Sequence, residues 1–346
     1  MTSPYTPSQN PKIAVVVMNL GGPLKEGDIK PFLFNFFMDK NIIGAPLPIR
    51  WMLAKWISFS RGRGAAKTSY AALGGKSPLL ENTEAQARAL ESLLQQKWPQ
   101  LKTFVTMRYW HPLSPDVVRQ VKAFNPDQII LLPLYPQFST TTSFSSIQNW
   151  QREAKKAGLD IPTQKICCYP YQSGFINASA ALVRAELAKA PPKTRVLFSA
   201  HGLPEKTIAG GDPYQFQCEQ TAQKIAAAMN VENLDWQVCY QSRVGPLKWI
   251  GPSTEQALDK AAADGVGVIV YPHAFVNEHV ETLVEIEEEY REYAHEKGIP
   301  YFARVSTVSV HPDFIAGLAA LVEDKLAGKV WQRVCPETFK RCGCAL

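Results

Sequence analysis

The chain has 346 residues, of which 46% are hydrophobic and 20% charged, with 21 glycines and 26 prolines. A length of this order corresponds to about two domains of ordinary size, and the composition excludes a disordered, collagen-like or acidic-tail protein. The net charge of +6 is mild and no Lys/Arg run forms a stripe, so nucleic acid is not an expected partner.

Residues 1–11 are polar and Pro/Ser-rich and read as a flexible N-terminal tail. The first apolar run, Ile13–Met18, reads as a strand and is too short for a signal-peptide core. It leads into Asn19-Leu20-Gly21-Gly22-Pro23, which lacks both the third glycine of a dinucleotide fingerprint and the Lys-Ser/Thr of a phosphate loop. The segment from Phe32 to Phe59 is densely aromatic and aliphatic, interrupted by Asp39, Lys40, Arg50 and Lys55. Two readings stand for it. One is a pair of core helices; the other is an exposed apolar lip that holds an aromatic ligand or dips into a membrane interface, with Arg50, Lys55, Arg61 and Arg63 towards lipid headgroups.

β-Branched runs recur at Thr103–Met107, Gln128–Leu132, Thr163–Tyr169, Arg195–Ala200, Trp236–Cys239, Val266–Val270 and Tyr301–Arg304, separated by segments of helical period. That alternation predicts an α/β fold with parallel sheets. The eight strands divide into two halves, 12–158 and 163–305, with the break at the polar turn Gly158–Pro162. A helix within 306–330 is expected to pack back on the first half, followed by a Cys-rich tail over 331–346. No window approaches the roughly 18 uncharged apolar residues of a membrane span. Seven cysteines in a chain this long point to a reducing cytoplasm rather than a disulfide scaffold.

In open α/β sheets ligands bind beyond the carboxyl ends of the strands. His201 ends the run Val196–Ala200, and Asn277–Tyr290 opens a helix just after the seventh strand. At helical spacing Glu281, Glu285 and Glu288 or Glu289 share a face, with Glu278 one turn earlier. Like charges so placed destabilise a helix unless something positive sits among them, which suits a cation path or proton relay. A solvated acidic face favoured by the helix dipole is the plain alternative. No His-Glu-x-x-His and no Gly-x-Ser-x-Gly is present, so zinc-protease and serine-hydrolase readings fall. Cys335, Cys342 and Cys344 suggest a metal or iron–sulfur site needing one more ligand, with Cys167 or Cys168 ahead of Cys218 and Cys239. As strand residues, Cys167 and Cys168 should point to opposite faces. A structural zinc or a merely reactive tail is the alternative.

Taken together, these motifs resemble those of the ferrochelatases, enzymes that insert ferrous iron into a porphyrin. The resemblance runs from about Lys12 to about Asp324, through Met18–Pro23, Tyr70–Leu79, Met107–Tyr109, Leu134–Ser139, Phe198–Pro204, Gly211–Tyr214, Tyr240–Trp249 and Phe275–Leu283. It implies two similar Rossmann-like halves of type II chelatase kind, each a four-stranded parallel sheet flanked by helices. It also implies that His201 and Glu281 face each other across the porphyrin and meet the Fe²⁺ substrate. His279 and Glu278 would extend the proton path, and Glu285 and Glu289 an acidic channel. Met18, Arg108, Tyr109, Trp249 and Phe275 would line the macrocycle pocket, while Tyr70, Ser77 and Arg61 sit near its mouth and propionates. Some members hold a [2Fe–2S] cluster through three C-terminal cysteines and one internal cysteine, a pattern that Cys335, Cys342 and Cys344 fit. The Tyr-x-x-x-Gly-Gly-x-Ser-Pro motif and the apolar lip resemble the protoporphyrin-using, membrane-associated branch. The implied activity is that of a lyase converting protoporphyrin IX and Fe²⁺ to protohaem with release of two protons, the last step of haem biosynthesis. The implied place is the cytoplasm, peripheral at the inner face of the cell membrane, with a homodimer as one assembly. A coproporphyrin ferrochelatase, another tetrapyrrole chelatase and a non-catalytic porphyrin carrier are the alternatives.

Overall fold

The computed structural model describes residues 11–243, 245, 247–330 and 332–344, so the expected N-terminal tail lies, but for Pro11, outside the described residues. Eight strands form where the β-branched runs fall: β1 Ile13–Asn19, β2 Leu101–Met107, β3 Gln128–Pro133, β4 Thr163–Lys165, β5 Thr194–His201, β6 Trp236–Gln241, β7 Gly267–Tyr271 and β8 Phe302–Arg304. They make two four-stranded parallel sheets, ordered β2-β1-β3-β4 and β6-β5-β7-β8. The central strands β1, β5 and β7 are almost wholly buried, because crossover helices cover both faces of each sheet.

The first half carries helices α1 Ile29–Phe37, α2 Leu47–Arg61, α3 Ala65–Ala72, α4 Leu79–Gln95, α5 Ser114–Phe124 and α6 Ser143–Lys156. There follow α7 Ser173–Leu187, α8 Glu205–Ala209, α9 Tyr214–Met229, α10 Thr254–Asp264, a π-helix at Glu281–Glu289, α11 Tyr290–Glu296 and α12 Pro312–Leu326. Local chemistry sets several ends. Pro115 and Pro312 occupy first turns, where a missing N–H is harmless. Ser253 and Gln256 cap the start of α10 reciprocally.

One expected boundary does not hold. β4 pairs in register with β3, Leu131 opposite Lys165, so it completes the first sheet instead of opening the second half. The polar turn at Gly158, whose φ is +62°, is a tight connection between α6 and an edge strand. β4 is also shorter than the run Thr163–Tyr169, because the chain leaves the sheet after Ile166 and the Tyr169 N–H turns to the Pro136 carbonyl. The halves are not separate bodies either. One apolar cluster joins Val15 and Ile130 of the first sheet, Val196 and Ile269 of the second, and Leu90, Phe175 and Phe314 of α4, α7 and α12. Thus α12 does pack back against α4 of the first half, and against α7 as well.

Candidate functional site

The strand ends expected to hold ligand converge. β5 and β7 are neighbours, so His201 at the end of β5 stands beside the loop that follows β7. Side chains of the first half fix that loop. Asn19 at the end of β1 donates to the Asn277 Oδ1 at 3.0 Å, and Gln86 of α4 takes the Asn277 amide and donates to the Val276 carbonyl. The loop presents Phe275 edge-on to His279, their ring centroids 4.5 Å apart. Trp249 lies against Gly202, where an added β-carbon would meet its ring at 3.4 Å, and its indole N–H is buried without a partner.

His201 Nδ1 lies 2.9 Å from Glu281 Oε2, both side chains about a third exposed. Burial acts to lower the imidazole's proton affinity, but the Glu281 charge and hydrogen bond, helped by Glu285, raise its pKa above the ordinary value. Burial likewise opposes the Glu281 charge, yet His201 and then His279 hold that carboxyl below the ordinary range. Glu285 moves the other way. Burial and the neighbouring Glu281 charge raise it, although Ser242 donates both its N–H and its hydroxyl to it and the Tyr290 hydroxyl donates a further bond. His279 is lowered by burial, and its Nδ1 accepts the Glu281 N–H. Its other ring nitrogen therefore carries the proton of the neutral form.

The π-helix arranges these acids. Its backbone bonds run from i to i+5, as from the Tyr290 N–H to the Glu285 carbonyl, and such wide turns are frequent at functional sites. Glu285 lies behind Glu281, while Glu288 and Glu289 reach the surface at the outer end. Glu278 does not join this file. It forms an ion pair with Arg304 at 3.0 Å and accepts from Thr307 N–H and the Thr282 hydroxyl, which fixes the loop instead.

The remaining expected residues divide. Arg108 and the Tyr109 hydroxyl both converge on the buried Asp39 at 2.8 Å, with Ser145 also donating to it. Tyr70 is buried in the same aromatic cluster and close enough to Glu281 for that charge to raise its phenol. Its burial is the larger cause. Ser77 is a structural contact: its β-carbon would lie 2.6 Å from any added at Gly22, and its N–H bonds the Pro23 carbonyl. Met18 is packed in the first-half core with Val16 and Trp150. Arg61 ends α2 with its guanidinium over Phe37. Asp39, Ser242 and Tyr290 are the members of the site that residue pattern alone passed over; a lone Asp in an aromatic run was the available signal for the first.

The aromatic segment has a packed side and an exposed side. Phe32, Leu33, Phe37 and Ala54 pack inward, whereas Leu47, Ile49, Trp51, Met52, Trp56 and Phe59 of α2 face outward, Trp56 at 69% exposure. Among the described residues no helix is long and apolar enough to cross a membrane.

A second centre gathers thiols. Cys344 Sγ is 3.3 Å from Cys167 Sγ, the free thiols of Cys335 and Cys342 lie within hydrogen-bonding reach of one another, and the Gln217 amide donates to Cys335 at 3.0 Å. Cys167 and Cys168 do not point to opposite faces, because the strand has already ended at Lys165; their sulfurs are 3.7 Å apart. The tail fits only because residue 343 is glycine, whose missing β-carbon would fall 2.6 Å from Phe138 and 2.7 Å from Cys167. Among the described residues no three His, Cys, Asp or Glu side chains are set round a single metal-ion position.

The two-sheet architecture is shared with the solved structure of SirB from Bacillus subtilis with Fe³⁺, which superposes with a TM-score of 0.57 at 11% identity, over 92% of this chain and 96% of that one. The sequence is more specific. The ferrochelatase family model matches residues 12–326. A ferrochelatase of Caulobacter vibrioides is 51% identical over 336 residues, 96% of this chain and 95% of that protein. One of Phenylobacterium zucineum is 47% identical over 341 residues, covering 96% and 98%. The chain belongs to the ferrochelatase family.

Proposed function

We propose that the chain inserts Fe²⁺ into protoporphyrin IX, releasing two protons and giving protohaem at the end of haem biosynthesis. Family membership supports porphyrin metallation, and the observation that carries the mechanism is the 2.9 Å pairing of His201 at the end of β5 with Glu281 at the start of the π-helix. A planar porphyrin points four nitrogens inward and carries two N–H protons, so insertion needs a bent ring and a base. Binding energy from the ring's apolar surface, spent against Trp249 and Phe275, holds the bent form. His201 accepts the pyrrole proton, its basicity increased by Glu281, whose carboxylate stabilises the imidazolium that results. Glu285 and Glu289 continue the acidic line outward and serve the hard cation or the departing protons. Anaerobic incubation of the purified protein with Fe²⁺ and either protoporphyrin or coproporphyrin tests this. Haem absorbance appearing faster with protoporphyrin is the expected result; no haem from either porphyrin overturns the reading, and a preference for coproporphyrin overturns its substrate.

Two further features support membership of the membrane-associated, cluster-bearing branch. The outward apolar face of α2 has the composition of an interfacial anchor, which would hold the protein at the inner face of the cell membrane. Cys335, Cys342, Cys344 and Cys167 supply four soft thiolates, the donor set of a [2Fe–2S] cluster, with Cys167 favoured over Cys168 by its contact with Cys344. When bound there the cluster would supply a one-electron redox group and a covalent tie between the tail and the first half. Anaerobic purification should yield a coloured protein with about two irons and two sulfides per chain; colourless protein carrying zinc would contradict the cluster.

A further inference from the structure

A polar cavity of about 130 Å³ lies between the α1–α2 corner and α6, its wall including Asp39, Lys40, Arg50, Arg108, Asn149 and Arg152. Among the described residues Asp39 is its one carboxylate, and Arg108 already neutralises it. Lys40 and Arg50 have no carboxylate partner among the described residues, whereas Arg152, itself exposed, donates to the Asn149 amide oxygen and pairs with the mostly buried Glu153. Arg50 donates one N–H to the Ala45 carbonyl at 3.1 Å, but its Nε–H is buried and meets no acceptor. Cations gathered round a hollow repel one another, and a buried guanidinium N–H without an acceptor is unfavourable. An oxyanion relieves both. A planar guanidinium fork and an ammonium in one cavity suit a tetrahedral, multiply charged anion better than a single carboxylate.

We propose that this cavity binds a phosphate group, either free inorganic phosphate or the headgroup of an anionic phospholipid. The lipid source is open because Arg50 belongs to α2, whose outward face carries Trp51, Met52 and Trp56; that source alone rests on the membrane reading. The cavity lining includes neither His201 nor Glu281 nor any cysteine, but it shares Asp39 and Arg108 with the candidate site described above.

The test combines calorimetric titration of the full chain with inorganic phosphate and sedimentation with phosphatidylglycerol or phosphatidylcholine vesicles. It compares wild type, Arg50→Gln, Arg50→Lys and Arg119→Gln, the last a surface arginine on α5 paired with Asp116. Phosphate affinity should fall at least tenfold in Arg50→Gln, fall less in Arg50→Lys and be unchanged in Arg119→Gln. If the source is lipid, the preference for phosphatidylglycerol disappears in Arg50→Gln and is competed by phosphate. If the source is free phosphate, vesicle binding is indifferent to Arg50 while phosphate binding is not. Equal phosphate affinity and equal phosphatidylglycerol preference in wild type and Arg50→Gln overturn the proposal. Binding to phosphatidylcholine, which reads the apolar face alone, separates that failure from failure of the membrane reading. Circular dichroism checks folding, and exposed Lys40→Gln interrogates the same cavity if Arg50→Gln does not fold.

Discussion

His201 ends a strand held by β6 as far as His201 itself and by β7 as far as Phe198, so truncating its side chain removes chemistry without removing a packing element. His201→Ala should keep its far-ultraviolet spectrum and porphyrin binding while insertion falls by about 100-fold or more, the scale of a lost acid–base group. Near-wild-type turnover would take His201 out of the mechanism. The same pair makes a stability prediction whose sign follows from its two shifts. His201 is raised above its ordinary 6.5, so its stabilisation is fully present below 6.5 and fades as pH rises through the raised value. Glu281 is lowered below its ordinary 4.5, so its stabilisation is present above 4.5 and fades as pH falls through the lowered value. The melting-temperature gap between wild type and Glu281→Gln should therefore be widest between pH 4.5 and 6.5 and narrow on either side. A gap that is flat with pH would mean the two groups do not pair in solution.

At the scale of elements, α2 and the π-helix show what residue pattern reveals and what it withholds. Strands such as Val15-Val16-Val17 were legible because a parallel strand buried on both faces must be apolar at every position. The apolarity of α2 was equally plain, but periodicity does not say whether a face is covered by protein, membrane or nothing; the structure shows one side packed inward and the other exposed. Glutamates four apart are compatible with α or π winding, and only backbone hydrogen bonding distinguishes them. Glu278 was misplaced because its partner Arg304 comes from β8, 26 residues on, a distance at which no local pattern operates. The pairing of His201 with Glu281, 80 residues apart, was legible only through the family resemblance. Because exposed Trp51 and Trp56 contribute little to the fold, replacing both by Ser should leave the melting temperature within a few degrees yet reduce co-sedimentation with vesicles several-fold. Unchanged sedimentation would show that α2 is not the anchor.

Across the whole molecule the C-terminal tail acts as a clasp between the halves. Arg341 N–H bonds the Gly211 carbonyl, Phe339 packs on Phe216 of α9, and Cys344 meets Cys167 beyond β4. Beside it, Asp212 accepts from the Thr140 N–H and hydroxyl and from Ser139, joining a second-half loop to the first half. Gly343 is where this clasp is most exacting, since a β-carbon there collides with Phe138, which is itself buried and whose N–H is held by Gln217. Neither collision partner is an exposed, flexible side-chain end, so the tail rather than the core must give way. Gly343→Ala should thus draw Cys342 and Cys344 away from Cys167 while the two sheets, none of whose strands pairs with the tail, stay folded. The expected result is protein of normal circular dichroism with most of its iron and sulfide lost after anaerobic purification, and with its tail cleaved faster by trypsin at Lys340 or Arg341. Full metal content in Gly343→Ala would mean that the proposed cluster does not depend on the seat of the tail at Gly343.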